Sequence, residues 1–282
     1  MTAMTATPPV KPKNESALEK LDRLLQKIAE RTSEFEQQLD AEPQTLPCGT
    51  HGPGQRRLDR DASIQAARPV YTCPGCEQVK FEQRYLQRME EAEIPADVRH
   101  ATLENFRTDL PGVLPGRGHH TPAQFLEAAR QFATGSLRNL IIAGTPGIGK
   151  GHLAAALARH EILLGRRVRW IECARLFANF HRAYQTETGD ALLTRYAAPS
   201  LLILDEVCLR DLPADGEEIL FAILDRRHKA GRRSILLGNK PAQETRHWLG
   251  DRISDRLRSG GVTFCYGEWP SARGSTNDGA EF

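Results

Sequence analysis

Apolar residues recur at helical spacing between Ser16 and about Leu39, with Leu18, Leu21, Leu24, Leu25, Ile28, Phe35 and Leu39 on one face. Glu19, Lys20, Arg23, Lys27, Glu30 and Arg31 take the other face, so the pattern predicts an amphipathic helix. Its stripe needs cover, from its own domain or from an external partner. The periodicity then fails. Residues 41–80 are rich in Gly, Pro and turn residues and poor in large apolar side chains, too few to bury a core unaided. A linking helix is expected from Phe81 to Glu93, and residues 94–120 read as a loop-rich connector ending in the breaker-rich PGVLPGRGHH.

From Thr121 the pattern changes to short apolar strands alternating with helices. A helix near 122–134 precedes the strand LRNLIIAG, a Gly-rich loop and a helix over 150–164. The strand RRVRWIECA and helix ARLFANFHRAYQ follow, then SLLILDEV and a helix over about 215–230. RRSILLGN, a short helix near 241–249 and GVTFCYG close the series. Continuous apolar strands between helices imply an α/β fold, a parallel sheet covered on both faces. The expected division is an N-terminal region over 1–93, an α/β domain over 94–273 and a polar tail over 274–282. Residues 1–14, rich in Pro, Thr and Lys, are expected to be disordered.

Composition narrows the classes. With 282 residues and a formal net charge of +2, the chain has no bulk attraction for nucleic acid, so a DNA partner needs a local patch. Arg226, Arg227, Lys229, Arg232 and Arg233 form one such cluster, equally readable as a solvated face. No apolar run approaches the roughly 20 residues of a membrane span, and the N-terminus lacks the apolar core of a secretory signal. A cytoplasmic location with no membrane partner is expected. In that reducing compartment the six cysteines read as metal ligands or buried thiols.

The strongest chemical signal is Gly144-Thr145-Pro146-Gly147-Ile148-Gly149-Lys150, placed between a predicted strand and a predicted helix. That setting lets consecutive backbone N–H groups and the positive helix end face a phosphate, with Lys150 reaching the β- and γ-phosphates of ATP. Gly151 stands where a Ser or Thr hydroxyl ordinarily ligates Mg²⁺, and His152 follows it, so hydrolysis is expected to be slow. Asp205 and Glu206 end the buried strand LLILDE, where open α/β sheets place their ligands. Asp205 suits Mg²⁺, and Glu206 suits the attacking water. Asn239 ends the next strand, as a γ-phosphate contact or as a turn residue. Arg252 and Arg256 are four apart, on one helical face. Further upstream, Cys48-Gly-Thr-His51 and Cys73-Pro-Gly-Cys76 make two knuckles whose four side chains suit tetrahedral Zn²⁺. A redox dithiol at Cys73/Cys76 or unconnected thiols are the alternatives. Cys173, Cys208 and Cys265 lie in or beside predicted strands and read as buried thiols.

Taken together, ATLENF (101–106), GTPGIGKGHLAAAL (144–157), LLILDEV (201–207), Asp225-Arg226-Arg227, the GN before Lys240 and LGDRISDRLR (249–258) resemble the DnaC-type helicase loaders of the DnaC/IstB group of AAA+ ATPases. Trp269-Pro-Ser-Ala-Arg273 is similar to that group's closing motif. The resemblance spans roughly 95–273 and implies a P-loop AAA+ core without a C-terminal lid. It implies that Arg256 is an arginine finger acting across a subunit boundary, Arg252 its companion and Arg273 a nucleotide-sensing arginine. The N-terminal knuckles resemble the DnaI variety of loader, whose N-terminal region grips the helicase. The implied function is ATP-dependent loading of a DnaB-type replicative helicase onto single-stranded DNA, with self-assembly into a ring or spiral on the helicase. An IstB-like helper of a DNA transposase is the second reading, and a stand-alone nucleotide-dependent DNA-binding protein is the third.

Overall fold

Alternating side chains of five parallel strands feed two separate apolar cores, one on each face of the main sheet. The computed structural model describes residues 17–110, 119–184 and 189–271. The expected disordered start at 1–14, the 274–282 tail, most of the PGVLPGRGHH segment and Arg273 lie outside the described residues. The chain divides into two units, Met1–Glu82 and Gln83–Phe282, with the boundary inside one helix.

The first unit opens with α1 (Ala17–Ala41). Leu39 on its last turn is fully buried, whereas Leu24, Leu25 and Ile28 are more than half exposed. Three short strands follow, β1 (Thr45–Cys48), β2 (Gly52–Leu58) and β3 (Tyr71–Thr72), paired antiparallel in the order β1-β2-β3. Between β2 and β3 lies α2 (Arg60–Ala66), capped by Asp59, whose carboxylate accepts from the Ala62 N–H at 3.0 Å. Ser63 stitches this turn together: its hydroxyl donates to Asp59 O and accepts from the Val70 N–H. The sequence showed none of these strands, because residues 52–58 are Gly-Pro-Gly-Gln-Arg-Arg-Leu, with no period-two apolar pattern. The helix α3 (Pro74–Glu91) starts at the second cysteine knuckle, earlier than the expected Phe81, and runs through the unit boundary.

The second unit carries a 3-10 turn at Ala96–Val98, then α4 (Pro122–Ala133), whose Thr121 and Gln124 form a reciprocal capping box. The doubly wound core is β4 (Asn139–Gly144), α5 (Lys150–Leu163), β5 (Val168–Glu172), α6 (Cys173–Tyr184), α7 (Gly189–Ala197), β6 (Leu201–Val207), α8 (Gly216–Lys229), β7 (Arg233–Gly238), α9 (Ala242–Ser259) and β8 (Val262–Gly267). The strand order is β5-β6-β7-β4-β8, all parallel. Leu140, Ile142, Leu201 and Ile203 pack against α4 and α5, while Ile141, Leu202 and Leu204 pack against α6, α8 and α9. This order sets the C-terminal ends of β6, β7 and β4 side by side. Asp205, Asn239 and the Gly-rich loop therefore share one edge. The short helix α7 escaped the sequence reading. Only Tyr196 and Ala197 of its nine residues are buried.

Two arginines of the expected basic cluster belong to the interior. Arg227 is 1% exposed. It donates to Ser234 Oγ and to the carbonyls of Tyr196, Ala197, Pro199, Ser200 and Arg233, tying the entry of β6 to that of β7. Arg233 pairs with the buried Glu161 and stacks over Phe132 at 3.8 Å. A buried, carbonyl-saturated guanidinium is not available to a DNA phosphate. The patch shrinks to Arg226, Lys229 and Arg232.

Candidate nucleotide and metal sites

The glycine loop leaves β4 and feeds α5, and its residues face a cavity of about 720 Å³. Pro146, Gly147, Gly149, Lys150, Gly151, His152, Asp205, Glu206 and Asn239 all line it. Its volume falls in the usual range for small-molecule sites, about 300–1,000 Å³. Gly149 is the N-cap of α5 with φ +93°, and a Cβ there would lie 2.6 Å from the Phe106 ring. Only glycine accepts both conditions. Three loop residues expected at the nucleotide stand behind the cavity wall. Gly144 and Thr145 are braced against Gly267 and Trp269, the Thr145 N–H donating to Gly267 O, and Ile148 is 1% exposed in the core.

Lys150 Nζ donates to Gly144 O at 2.7 Å and Thr145 O at 3.0 Å. These carbonyls hold the ammonium at the loop, where a phosphate can take over its hydrogen bonds. His152 Nε2 faces Thr102 O at 3.0 Å, so Nε2 carries the proton and Nδ1 is an acceptor. Burial pulls the imidazole below its ordinary range. Its ring meets Phe106 edge-on at 5.6 Å. The ATLENF stretch thus packs on α5, and Arg159 ties it down by donating to Arg99 O and Ala101 O. The same connector contributes Asp97, Val98 and His100 to the cavity lining. Sequence reading missed these three, because only their place before ATLENF marks them, and Leu237, which reads as one more core residue of β7.

Asp205 and Glu206 sit at the end of β6. Asp205 Oδ1 accepts from the Glu206 N–H at 2.8 Å, and Oδ2 accepts from Trp170 Nε1 at 3.1 Å. Burial, partly offset by those two donors, raises the Asp205 carboxyl. Glu206 is also raised, by burial and then by the negative charges of Glu172 and Asp205. Glu172 pairs with Asp205 across β5 and β6, so a third carboxylate borders the pair. Glu206 adopts a left-handed conformation, φ +57°, rare for a side chain of its kind and found where a site over-determines the backbone. Such an oxygen-rich edge suits a hard divalent cation such as Mg²⁺, and Asp205 and Glu206 are the carboxylates that line the cavity.

Arg252 and Arg256 are not among the residues lining this cavity. They lie on α9 beyond a kink at Gly250, whose φ and ψ are +75° and 164°. Arg252 lies over the Phe221 ring at 4.1 Å, and Arg256 Nε donates to Asp225 Oδ1 at 2.8 Å. Lys229 and Arg256 hold Asp225 below the usual carboxylate range.

In the first unit, Cys48, His51, Cys73 and Cys76 bring their donor atoms within 4.8 Å of one another. The Cys48–Cys76 sulfur separation is 3.6 Å, and His51 Nδ1 lies 3.6, 3.5 and 3.4 Å from the sulfurs of Cys48, Cys73 and Cys76. Zinc–sulfur bonds of about 2.3 Å at tetrahedral angles put neighbouring sulfurs roughly 3.8 Å apart, so these edges fit the ion. Hydrogen bonds from the Thr50 backbone and His51 pull the Cys48 thiol down to about 5, while the Cys48 sulfur beside it pushes the Cys76 thiol up to about 11, so without an ion one proton is shared between them. Gly75 keeps the second knuckle tight, because a Cβ there would lie 2.9 Å from the His51 ring. Cys173, Cys208 and Cys265 are buried, free and pushed up by desolvation, Cys208 to about 11 and Cys265 to about 12.

Comparison with known proteins matches residues 84–257 to the family of IstB-like ATP binding proteins. The replicative helicase loader DnaC of Escherichia coli K12 is 28% identical over 180 residues, 62% of this chain and 70% of that protein. Among solved structures, DnaI superposes with a TM-score of 0.52 at 19% identity, over 66% of this chain and 100% of DnaI. The DnaC helicase loader gives 0.52 at 16% identity, over 61% of this chain and 99% of that one. At such identities the structural likeness speaks for the fold alone, a P-loop ATPase core. The family match covers more than half of the chain and includes the cavity's loop, both strand-end carboxylates and Asn239, so the chain belongs to the IstB-like ATP binding proteins.

Proposed function

We propose that this chain is an ATP-driven loader that binds a hexameric DnaB-type replicative helicase in the cytoplasm and delivers it onto single-stranded DNA. The observation that carries this reading is the match, over 180 residues, to a protein named as a replicative helicase loader. In this reading residues 1–93 grip the helicase and residues 94–273 form the motor. The exposed Leu24, Leu25 and Ile28 on α1 are apolar surface for such a grip.

ATP enters the cavity with its phosphates on the N–H groups at the start of α5. Lys150 trades its loop carbonyls for the β- and γ-phosphates. Bound Mg²⁺ would neutralise phosphate charge, with Asp205 as its side-chain ligand. Glu206 orients the attacking water and accepts its proton, and Asn239 fixes the γ-phosphate end. Turnover is slow, because Gly151 lends no hydroxyl to the metal. Arg256 leaves Asp225 to serve the γ-phosphate of a neighbouring copy in a ring or spiral, with Arg252 beside it. Cys48, His51, Cys73 and Cys76 would hold Zn²⁺ as a structural staple, which would supply the order that a small core cannot.

A second reading, an ATPase helper of a DNA transposase, follows from the resemblance to the IstB group, whose IstB-like ATP binding family the chain matches. Tagged full-length chain mixed with purified DnaB-type helicase in ATP, then with circular single-stranded DNA, separates the two. The loader reading expects a stable co-complex and helicase transferred to DNA. No helicase complex, together with an ATP-dependent complex on duplex DNA and a transposase, overturns it.

A further inference from the structure

Both oxygens of the Asp205 carboxylate are engaged by protein donors, and only one donor comes from a side chain. The Glu206 N–H takes Oδ1 at 2.8 Å, and the indole N–H of Trp170 takes Oδ2 at 3.1 Å. An indole nitrogen can only donate, so this bond has a fixed sense. Trp170 is itself buried in the core. It is 3% exposed, sits in the core with Leu201 and Ile203, and its backbone N–H donates to Ala92 O at 2.8 Å. Strand register places Glu172 opposite Asp205, so Trp170 lies two residues back on the neighbouring strand and reaches forward along the sheet face. Two donors on two oxygens fix the carboxylate plane and leave its remaining lone pairs for the cavity that Asp205 lines. Gly151 has no hydroxyl to share the task, so the aim of Asp205 weighs more here than beside a Ser or Thr.

We propose that Trp170 is a positioning residue for metal binding, its indole N–H locking Asp205 in the orientation that receives Mg²⁺ with the nucleotide. This rests on the reading of Asp205 as the metal-holding carboxylate. Partners that orient metal ligands commonly carry about 10–100-fold in metal affinity. Trp170→Phe keeps an aromatic ring in the core and deletes the donor. Benzothienylalanine at position 170 replaces N–H by sulfur at nearly constant volume and guards against misfolding.

The measurement is binding of a fluorescent ATP analogue to the full chain as Mg²⁺ is titrated, and again in excess EDTA. Both substitutions are expected to raise the Mg²⁺ midpoint about tenfold and to leave binding in EDTA unchanged. Ile171→Ala, which damages the opposite core from the same strand, should leave the midpoint where it is. In an Asp205→Asn background, Trp170→Phe should have no further effect. An unchanged midpoint in both Trp170 variants, or an equal shift in Ile171→Ala, overturns the inference while leaving Asp205 as the ligand. Wild-type binding that ignores Mg²⁺ overturns the assignment of Asp205, and the role of Trp170 falls with it.

Discussion

At the scale of single residues, two glycines flanking Lys150 at the start of α5 have opposite tolerances. Gly149 has φ +93° and the Phe106 ring 2.6 Å from any added Cβ, whereas a Cβ on Gly151 meets only Val98 Cγ1 at 3.8 Å. Gly151→Ser should therefore fold normally and place a hydroxyl beside Lys150 at the start of α5. It is expected to lower the Mg²⁺ requirement and raise turnover several-fold, measured by phosphate release against Mg²⁺ concentration. Gly149→Ala should abolish phosphate release in the same assay. A second residue-scale expectation concerns pH. Glu206 must be ionised to accept the water's proton, and burial with the charges of Glu172 and Asp205 raises its carboxyl. A raised value means activity is full above it and is lost as pH falls through it, earlier than for a free glutamate. Glu172→Gln removes one repelling charge, so the acid limb of kcat should move to lower pH. A limb that stays in place would assign the titration to another group. Arg210, which lowers the Glu206 carboxyl, should give the opposite shift when changed to Gln.

At the scale of elements, what was legible in the sequence followed from burial. The strands β4, β6 and β7 are buried along nearly their whole length, so they read as unbroken apolar runs, and the motifs at their ends could be placed. The N-terminal strands were invisible because their order depends on Cys/His geometry and turn hydrogen bonds rather than on apolar alternation. For the same reason Trp170 was not legible as a site residue. It reads as one more core side chain until β5 is placed beside β6. The cavity wall at Asp97, Val98 and His100 was hidden in a connector with no periodicity. The N-terminal unit yields its own prediction. Freshly purified protein should carry zinc, lost on Cys73→Ser or Cys76→Ser and weakened by Gly75→Ala, which presses a methyl group onto the His51 ring. Elemental analysis and thermal melting with chelator check this. The four ligands belong to Met1–Glu82 and the nucleotide cavity to Gln83–Phe282, so metal loss should leave ATP binding intact. Protein purified without chelator and free of zinc would leave the cluster as plain thiols.

At the scale of the whole molecule, the position of Arg256 decides whether one copy suffices. Its guanidinium is bound to Asp225, close to the Phe221 face, and is absent from the lining of its own nucleotide cavity. This placement fits an arginine that serves the γ-phosphate of another copy, the reading proposed above. Arg256→Ala should then leave nucleotide affinity of the isolated chain intact and lower turnover of the assembled protein. Lys150→Ala removes the cation at the loop and should abolish binding in its own copy. Each variant lacks a different half of a junction, so mixing them can create junctions with Lys150 from one copy and Arg256 from the other. Partial recovery of phosphate release on mixing, where neither variant alone is active, is the expected result. Mixed oligomers that form and stay inactive would count against action between copies. Loss of ATP affinity in monomeric Arg256→Ala would place the arginine at its own nucleotide instead. The Asp225 pair adds a graded version of the test. Asp225→Asn frees Arg256 without deleting it, so ATP-dependent assembly should strengthen if the ion pair competes with the junction, and should not change if Arg256 stays on its own chain.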